Sequence, residues 1–244
     1  MLQLLTNTVG LQETSTSFYD SISQETWFFL TIAALVLSLI ASFMVKATFN
    51  KYNKVKTQGG RTAAEIARRI LDDNGLHHIA IVKHPGSLTD HYDPRSETVA
   101  LSEAVYDKDT IGAIGVAAHE VGHAIQHATG YAPIKIRHAI FPVVSFGTKY
   151  WYFILLAGLV LEMANLIWLA IALYAFGVVF QIVTLPLEMD ASNRAIKTLS
   201  ANNYLVGKEL NGAKSTLRAA AFTYLAAMIY SLVRLLYLVS RTRK

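Results

Sequence analysis

The sequence predicts a mainly α membrane protein of about four transmembrane helices, with a small α+β cytoplasmic domain after the first of them. Three observations predict it. Of 244 residues, 53% are hydrophobic and only 16% charged, with a mean hydropathy of +0.35, too apolar for an ordinary soluble domain. Apolar runs at 27–45, 139–161, 165–185 and 219–239 approach or exceed the roughly 20 residues that cross a hydrocarbon core. Between the first two runs lies a polar, turn-rich stretch that mixes helical and strand patterns. The formal charge of +5 comes from basic residues beside the apolar runs, which points to membrane orientation and away from nucleic acid. With no Cys, disulfides and thiolate metal sites are excluded, so any metal must sit on His and carboxylates.

Each element follows in order. Residues 1–26 carry Glu13, Asp20 and Glu25 but no Lys or Arg, unlike the positive opening of a cleaved signal peptide. They are expected to form an extracytoplasmic segment ahead of an uncleaved anchor, 27–45. Lys46, Lys51, Lys54, Lys56 and Arg61 then place residues 46–138 in the cytoplasm by the positive-inside rule. Thr62 and Glu65 have capping-box spacing for a helix stopping at Asn74-Gly75. Residues 78–83 and 98–102 read as short strands, with a loop over 84–97 containing Pro85-Gly86 and Asp93-Pro94. Asp109 is placed to cap a helix over 110–128 that ends at Thr129-Gly130.

The runs 139–161 and 165–185 are separated so briefly that they predict an antiparallel transmembrane hairpin. Two crossings return the chain to its starting side, so the polar, basic segment 186–218 shares the cytoplasm with 46–138. The last run, 219–239, contains Arg234 and precedes Arg241, Arg243 and Lys244, so it is either a fourth span or an interfacial helix.

The chemistry concentrates in AAHEVGHAIQH, residues 117–127. On a helix, positions four apart stack on one face about 6 Å apart along the axis. His119 and His123 can therefore offer two imidazoles to one Zn2+, with Glu120 beside them as general base for a water. A zinc site of this type needs a third protein ligand. His127 is too far from His119, since eight residues advance about 12 Å, and Thr129 stands where a metzincin has its third histidine. His138 and His91 are possible ligands. Glu188 is the better candidate, because it lies where the third apolar run ends, on the same side as the histidines, and Pro186 could open a new helix carrying it. Asp190, about 200° round a helix from Glu188, would not ligate the same ion but could accept a ligand imidazole N–H.

Four blocks in order resemble the YugP-type membrane zinc metallopeptidases: HYDPRSETVALSEAVY (91–106), AAHEVGHAIQH (117–127), LPLEMDASNRA (185–195) and LRAAAFTYLAA (217–227). The resemblance implies a membrane-bound, zinc-dependent peptidase, with His119 and His123 as metal ligands and Glu120 as general base. The layout is also similar to the HtpX and CAAX-protease peptidases, where a membrane segment or hairpin separates the histidine helix from a glutamate ligand. Those enzymes carry an aspartate four positions after that glutamate, where this chain has Ser192.

These readings converge on an endopeptidase acting on membrane-associated proteins or peptides at the cytoplasmic face of the plasma membrane. A substrate strand could add to Thr98, Val99, Ala100, Leu101 and Ser102, just before the catalytic helix, or this segment is an ordinary internal strand. Arg194, Tyr92 and His91 are equal candidates for the oxyanion donor. A zinc-binding scaffold without proteolysis is the alternative, disfavoured because a structural site needs no base. A transporter is disfavoured because its crossings should carry more ionisable residues.

Overall fold

A computed structural model of the protein describes residues 22–242, so residues 1–21 of the expected extracytoplasmic segment lie outside the described residues. The described elements are α1 (Gln24–Tyr52), α2 (Ala63–Asp73), β1 (Ala80–His84), β2 (His91–Asp93), β3 (Thr98–Ser102), α3 (Ile111–Ala128), α4 (Ala132–Val160), α5 (Ala164–Ala201) and α6 (Gly207–Thr242). This is a mainly α membrane protein with a small α+β domain. Four helices, α1, α4, α5 and α6, are long and apolar enough to cross a membrane.

The chain divides into two compact units. Among the described residues, one comprises 22–38, 143–179 and 227–242. Its helices are apolar on nearly every face, and Phe29, Phe153 and Val160 point outward, as helices solvated by lipid do. The turn between α4 and α5 is tight: a Cβ on Gly158 would lie 2.9 Å from the Ile167 backbone nitrogen. Arg234 is not left bare in this unit. It donates to the Tyr230 hydroxyl at 3.0 Å, and its guanidinium sits 5.1 Å from the Trp151 ring centroid.

The second unit comprises Leu39–Pro142 and Phe180–Ala226. Helix α2 opens with the capping box, Thr62 accepting from the Glu65 N–H and Glu65 from the Thr62 N–H. It buries Ile66, Ile70 and Leu71 in a core shared with Val99, Leu101, Ile114, Val121 and Leu199. The sheet has the order β1-β3-β2, with β1 parallel and β2 antiparallel to β3.

Three local expectations are corrected here. Strand β3 is the central strand: β1 pairs with all of Thr98, Val99, Ala100, Leu101 and Ser102, β2 covers the other side from Thr98 to Ala100, and the Ser102 N–H is held by Asp90, so β3 is not the edge offered to a substrate. The edge strands are β1 and β2, and β2 is three residues inside the expected loop, too short to show an alternating pattern. Asp109 does not cap α3: the N-cap residue is Thr110, whose hydroxyl donates to Asn53 Oδ1 at 2.6 Å, while the Asp109 carboxylate pairs with Lys56. Nor does Pro186 open a new helix, because α5 runs through it unbroken to Ala201.

Candidate metal centre

Helix α3 is built to be surrounded. Its small residues, Gly112, Ala113, Gly115, Ala117, Ala118, Gly122 and Ala124, are all buried and let other backbones come close. The closest approach is at Gly122, where a Cβ would lie 2.7 Å from the Ala191 carbonyl oxygen of α5. Ala191 is three residues beyond Glu188, so this contact seats Glu188 against the histidine face of α3.

The donor atoms converge there. Glu188 Oε2 lies 3.2 Å from His119 Nε2 and 3.4 Å from His123 Nε2, and all three ligand atoms fall within 4.8 Å of one another. A tetrahedral ion with bonds near 2.1 Å holds its ligands roughly 3.4 Å apart, so the donor set fits zinc. The imidazole rings stand 4.8 Å apart, edge to face.

The far nitrogens of both rings are occupied, which is what aims the Nε2 atoms. His119 Nδ1 is 3.1 Å from Ser192 Oγ. His123 Nδ1 is 2.9 Å from Gln126 Oε1. The Gln126 amide donates through Nε2 to Leu187 O at 2.9 Å and to Asp190 Oδ2 at 2.8 Å, so its oxygen must face the ring. His123 then donates Nδ1–H, leaving its Nε2 lone pair toward Glu188. Arg194 in turn holds Asp190 Oδ2 through its Nε.

Electrostatics favour a cation at this point. Burial pushes the Glu120 carboxyl above its ordinary range, with the Glu188 and Asp90 charges adding and the two imidazoles opposing. For Glu188, one turn beyond the apolar stretch, burial pulls upward but hydrogen bonds and charge from His119 and His123 hold it well below the usual range. Burial resists protonation of His123, yet Glu188 and Glu120 outweigh it and raise its affinity for a proton. Two buried carboxylates thus demand positive charge, which a metal supplies in place of imidazole protons.

A mostly polar cavity of about 140 Å3 opens on the centre, lined also by Asp90, His91, Tyr92, Arg137, His138 and Tyr224. Tyr92 is bonded to His127 Nδ1 at 3.1 Å, and burial pushes its phenol up to about 12, so it remains a proton donor at neutral pH. His91 and His138 line the cavity but are not among the three converging donors. Arg194 does not line it. That guanidinium is spent on Asp190, which makes Arg194 a poor oxyanion donor, and Asp190 reaches His123 only through Gln126.

Sequence reasoning missed Gln126, Asp90, Arg137 and Tyr224. Gln126 carried a signal, being one turn beyond His123 and able to reach its ring. Ser192, noted only as a departure from similar peptidases, is the residue that meets His119. Asp90 carried no such signal, since only the sheet brings its carboxylate to accept from the Ser102 N–H at 2.7 Å and hydroxyl at 3.0 Å.

Comparison with known proteins agrees with this geometry. Residues 27–243 match the family described as "Putative neutral zinc metallopeptidase". The chain is 50% identical over 208 residues to the "Putative membrane protease YugP" of Bacillus subtilis (strain 168), covering 85% of this chain and 92% of that protein. No solved structure matches it. A match over most of its length, joined to a His–His–Glu donor set of zinc geometry, places the chain in this family of zinc metallopeptidases.

Proposed function

We propose that the protein is an integral-membrane zinc endopeptidase that hydrolyses peptide bonds of membrane-associated proteins at the cytoplasmic face of the plasma membrane. One observation carries the reading: His119, His123 and Glu188 converge at zinc spacing with Glu120 beside them in a polar cavity. Those three residues would hold the ion, which when bound supplies polarisation of the substrate carbonyl and a lowered pKa for water. Glu120 takes the proton of the attacking water as its oxygen bonds to the carbonyl carbon, then passes that proton to the leaving amine as the C–N bond breaks. Arg137, Tyr92 and His91 line the cavity and can donate to the carbonyl oxygen. The substrate lies along the outer edge of β2, which lines the same cavity and has β3 on its other side.

The test is hydrolysis of casein by detergent-solubilised protein with zinc and with chelator. Wild type is expected to cleave only with zinc, and Glu120→Gln to fall at least about a hundredfold. Activity that survives Glu120→Gln ends the peptidase reading, and zinc binding without hydrolysis leaves a scaffold. The basic cluster Lys46, Lys51, Lys54, Lys56 and Arg61 supports the cytoplasmic orientation. Because the chain has no Cys, a single Lys208→Cys can report on it. An impermeant thiol reagent is expected to label it only after cells are opened, and labelling of intact cells reverses the orientation.

A further inference from the structure

A second cavity adjoins the metal centre and has a different character. It shares Asp90, His119, Glu120 and Tyr224 with the polar cavity, but the rest of its lining is almost wholly apolar. Val45 and Phe49 come from α1, Val116 from α3, Leu217 and Ala220 from α6, and Leu88 from the loop before β2. Beyond the shared residues, the one hydroxyl among the lining residues, Thr216, is already bonded to the Gly212 carbonyl at 3.1 Å. Leu88 closes the wall with φ +58°, a backbone conformation that non-glycine residues adopt at a cost.

The volume is about 150 Å3. An apolar cavity of about this size accepts a benzene-sized group, so the side chain of Leu, Ile, Met or Phe can enter. An acidic side chain would meet the Asp90 and Glu120 carboxylates. A basic one would lose water against aliphatic walls, and Asp90 is already engaged by two hydrogen bonds from Ser102. Because the cavity begins at the residues that carry the chemistry, its occupant must belong to a residue beside the bond being cut.

We propose that this cavity is the specificity pocket of the enzyme, and that it selects peptide bonds flanked on one side by Leu, Ile, Met or Phe. The inference rests on the peptidase reading above and names its substrate class. Val116, Leu217 and Ala220, with Val45, Phe49 and Leu88, make the apolar lining of the pocket.

The experiment is cleavage-site profiling: zinc-loaded protein in detergent digests a peptide library, and mass spectrometry reads the residues on either side of each cut. Leu, Ile, Met and Phe are expected at one flanking position at least about tenfold over Asp, Glu and Lys, since each methylene accommodated in such a pocket is worth about 10–200-fold. Ala220→Phe, which fills the pocket, is expected to hold zinc and move the preference to Ala and Gly, with at least about a tenfold loss on Leu-containing peptides. Leu88→Ala changes an exposed loop residue and is expected to weaken discrimination several-fold. Cleavage by wild type that is indifferent to both flanking residues overturns the specificity pocket and leaves peptide hydrolysis standing. Wild-type preference retained by a zinc-loaded Ala220→Phe overturns it as well. No cleavage by wild type, at the level of Glu120→Gln, overturns both readings together.

Discussion

In the apolar unit, Phe29, Phe153 and Val160 are 67%, 66% and 80% exposed, whereas in the unit with the metal centre Ile70, Leu101 and Leu199 are 1% exposed or less. The polar residues reverse as well. Glu120, Gln126 and Glu188 are all buried in the second unit, where Gln126 and Glu188 have bonded partners of complementary chemistry and Glu120 lies beside the two imidazoles. One chain therefore obeys two solvation rules. Where lipid is the solvent, outward apolar surface is stable and little internal packing is needed. Where the chain folds against water, apolar groups go inside, and a buried polar group without a partner costs stability. The candidate metal centre belongs to the second kind, so its stability depends on a few buried polar residues and the partners that Glu188 and Gln126 have there.

That difference can be sharpened by substitutions of decreasing effect. The largest is expected from Glu120→Gln, which removes the proton acceptor of the proposed mechanism while leaving the donor set: kcat should fall by about 10²–10⁴ with zinc content unchanged, measured on one preparation. Next is Phe153→Arg, which puts a charge on the lipid-facing side of α4. Membrane insertion of that segment should be disfavoured by about 2.5–3.5 kcal/mol, read in a glycosylation-mapping assay, and normal insertion would deny that this unit is solvated by lipid. Gln126→Leu follows. It leaves His123 Nδ1–H and the Leu187 carbonyl without their partner, and zinc affinity should drop about 10–100-fold in a competition titration. Gln126→Glu, which restores an acceptor to the ring, should recover part of that loss.

The smallest effect is at Asp90, whose carboxyl is raised by burial despite the hydrogen bonds from Ser102. A raised folded pKa means that the native state binds the proton more tightly than the unfolded chain. The contribution to stability is then complete below the ordinary Asp range and is lost as pH climbs through the raised value. Asp90→Asn should flatten the fall in thermal stability across that window, and an unchanged pH profile would place the Asp90 carboxyl in a more hydrated setting.

What could be read from the sequence follows the range of the interactions. His119, Glu120 and His123 were legible because one helical turn brings them together. Glu188 was legible because a hairpin of two apolar runs returns the chain to its starting side. The four long apolar helices were legible because lipid imposes length and composition. The roles of Asp90, Gln126 and Ser192 were not, since each depends on where another element packs: Asp90 on Ser102 of β3, Gln126 on Leu187 and Asp190 of α5, and Ser192 on His119 of α3. Whether residues 98–102 form an edge or an internal strand stayed open, because edge and centre are properties of a sheet, which no single strand reveals. Pro186 illustrates the converse error. A strong local signal for a helix start yields when an apolar helix is held along its whole length.

The most direct measurement of the metal centre is the zinc content of purified wild type and of Glu188→Ala, by elemental analysis of folded protein in detergent. Close to one zinc per chain is expected for wild type, and almost none for Glu188→Ala at the same free zinc, because two imidazoles alone hold the ion weakly. Full zinc retention in folded Glu188→Ala would contradict the assignment and move the third ligand to another residue of the cavity.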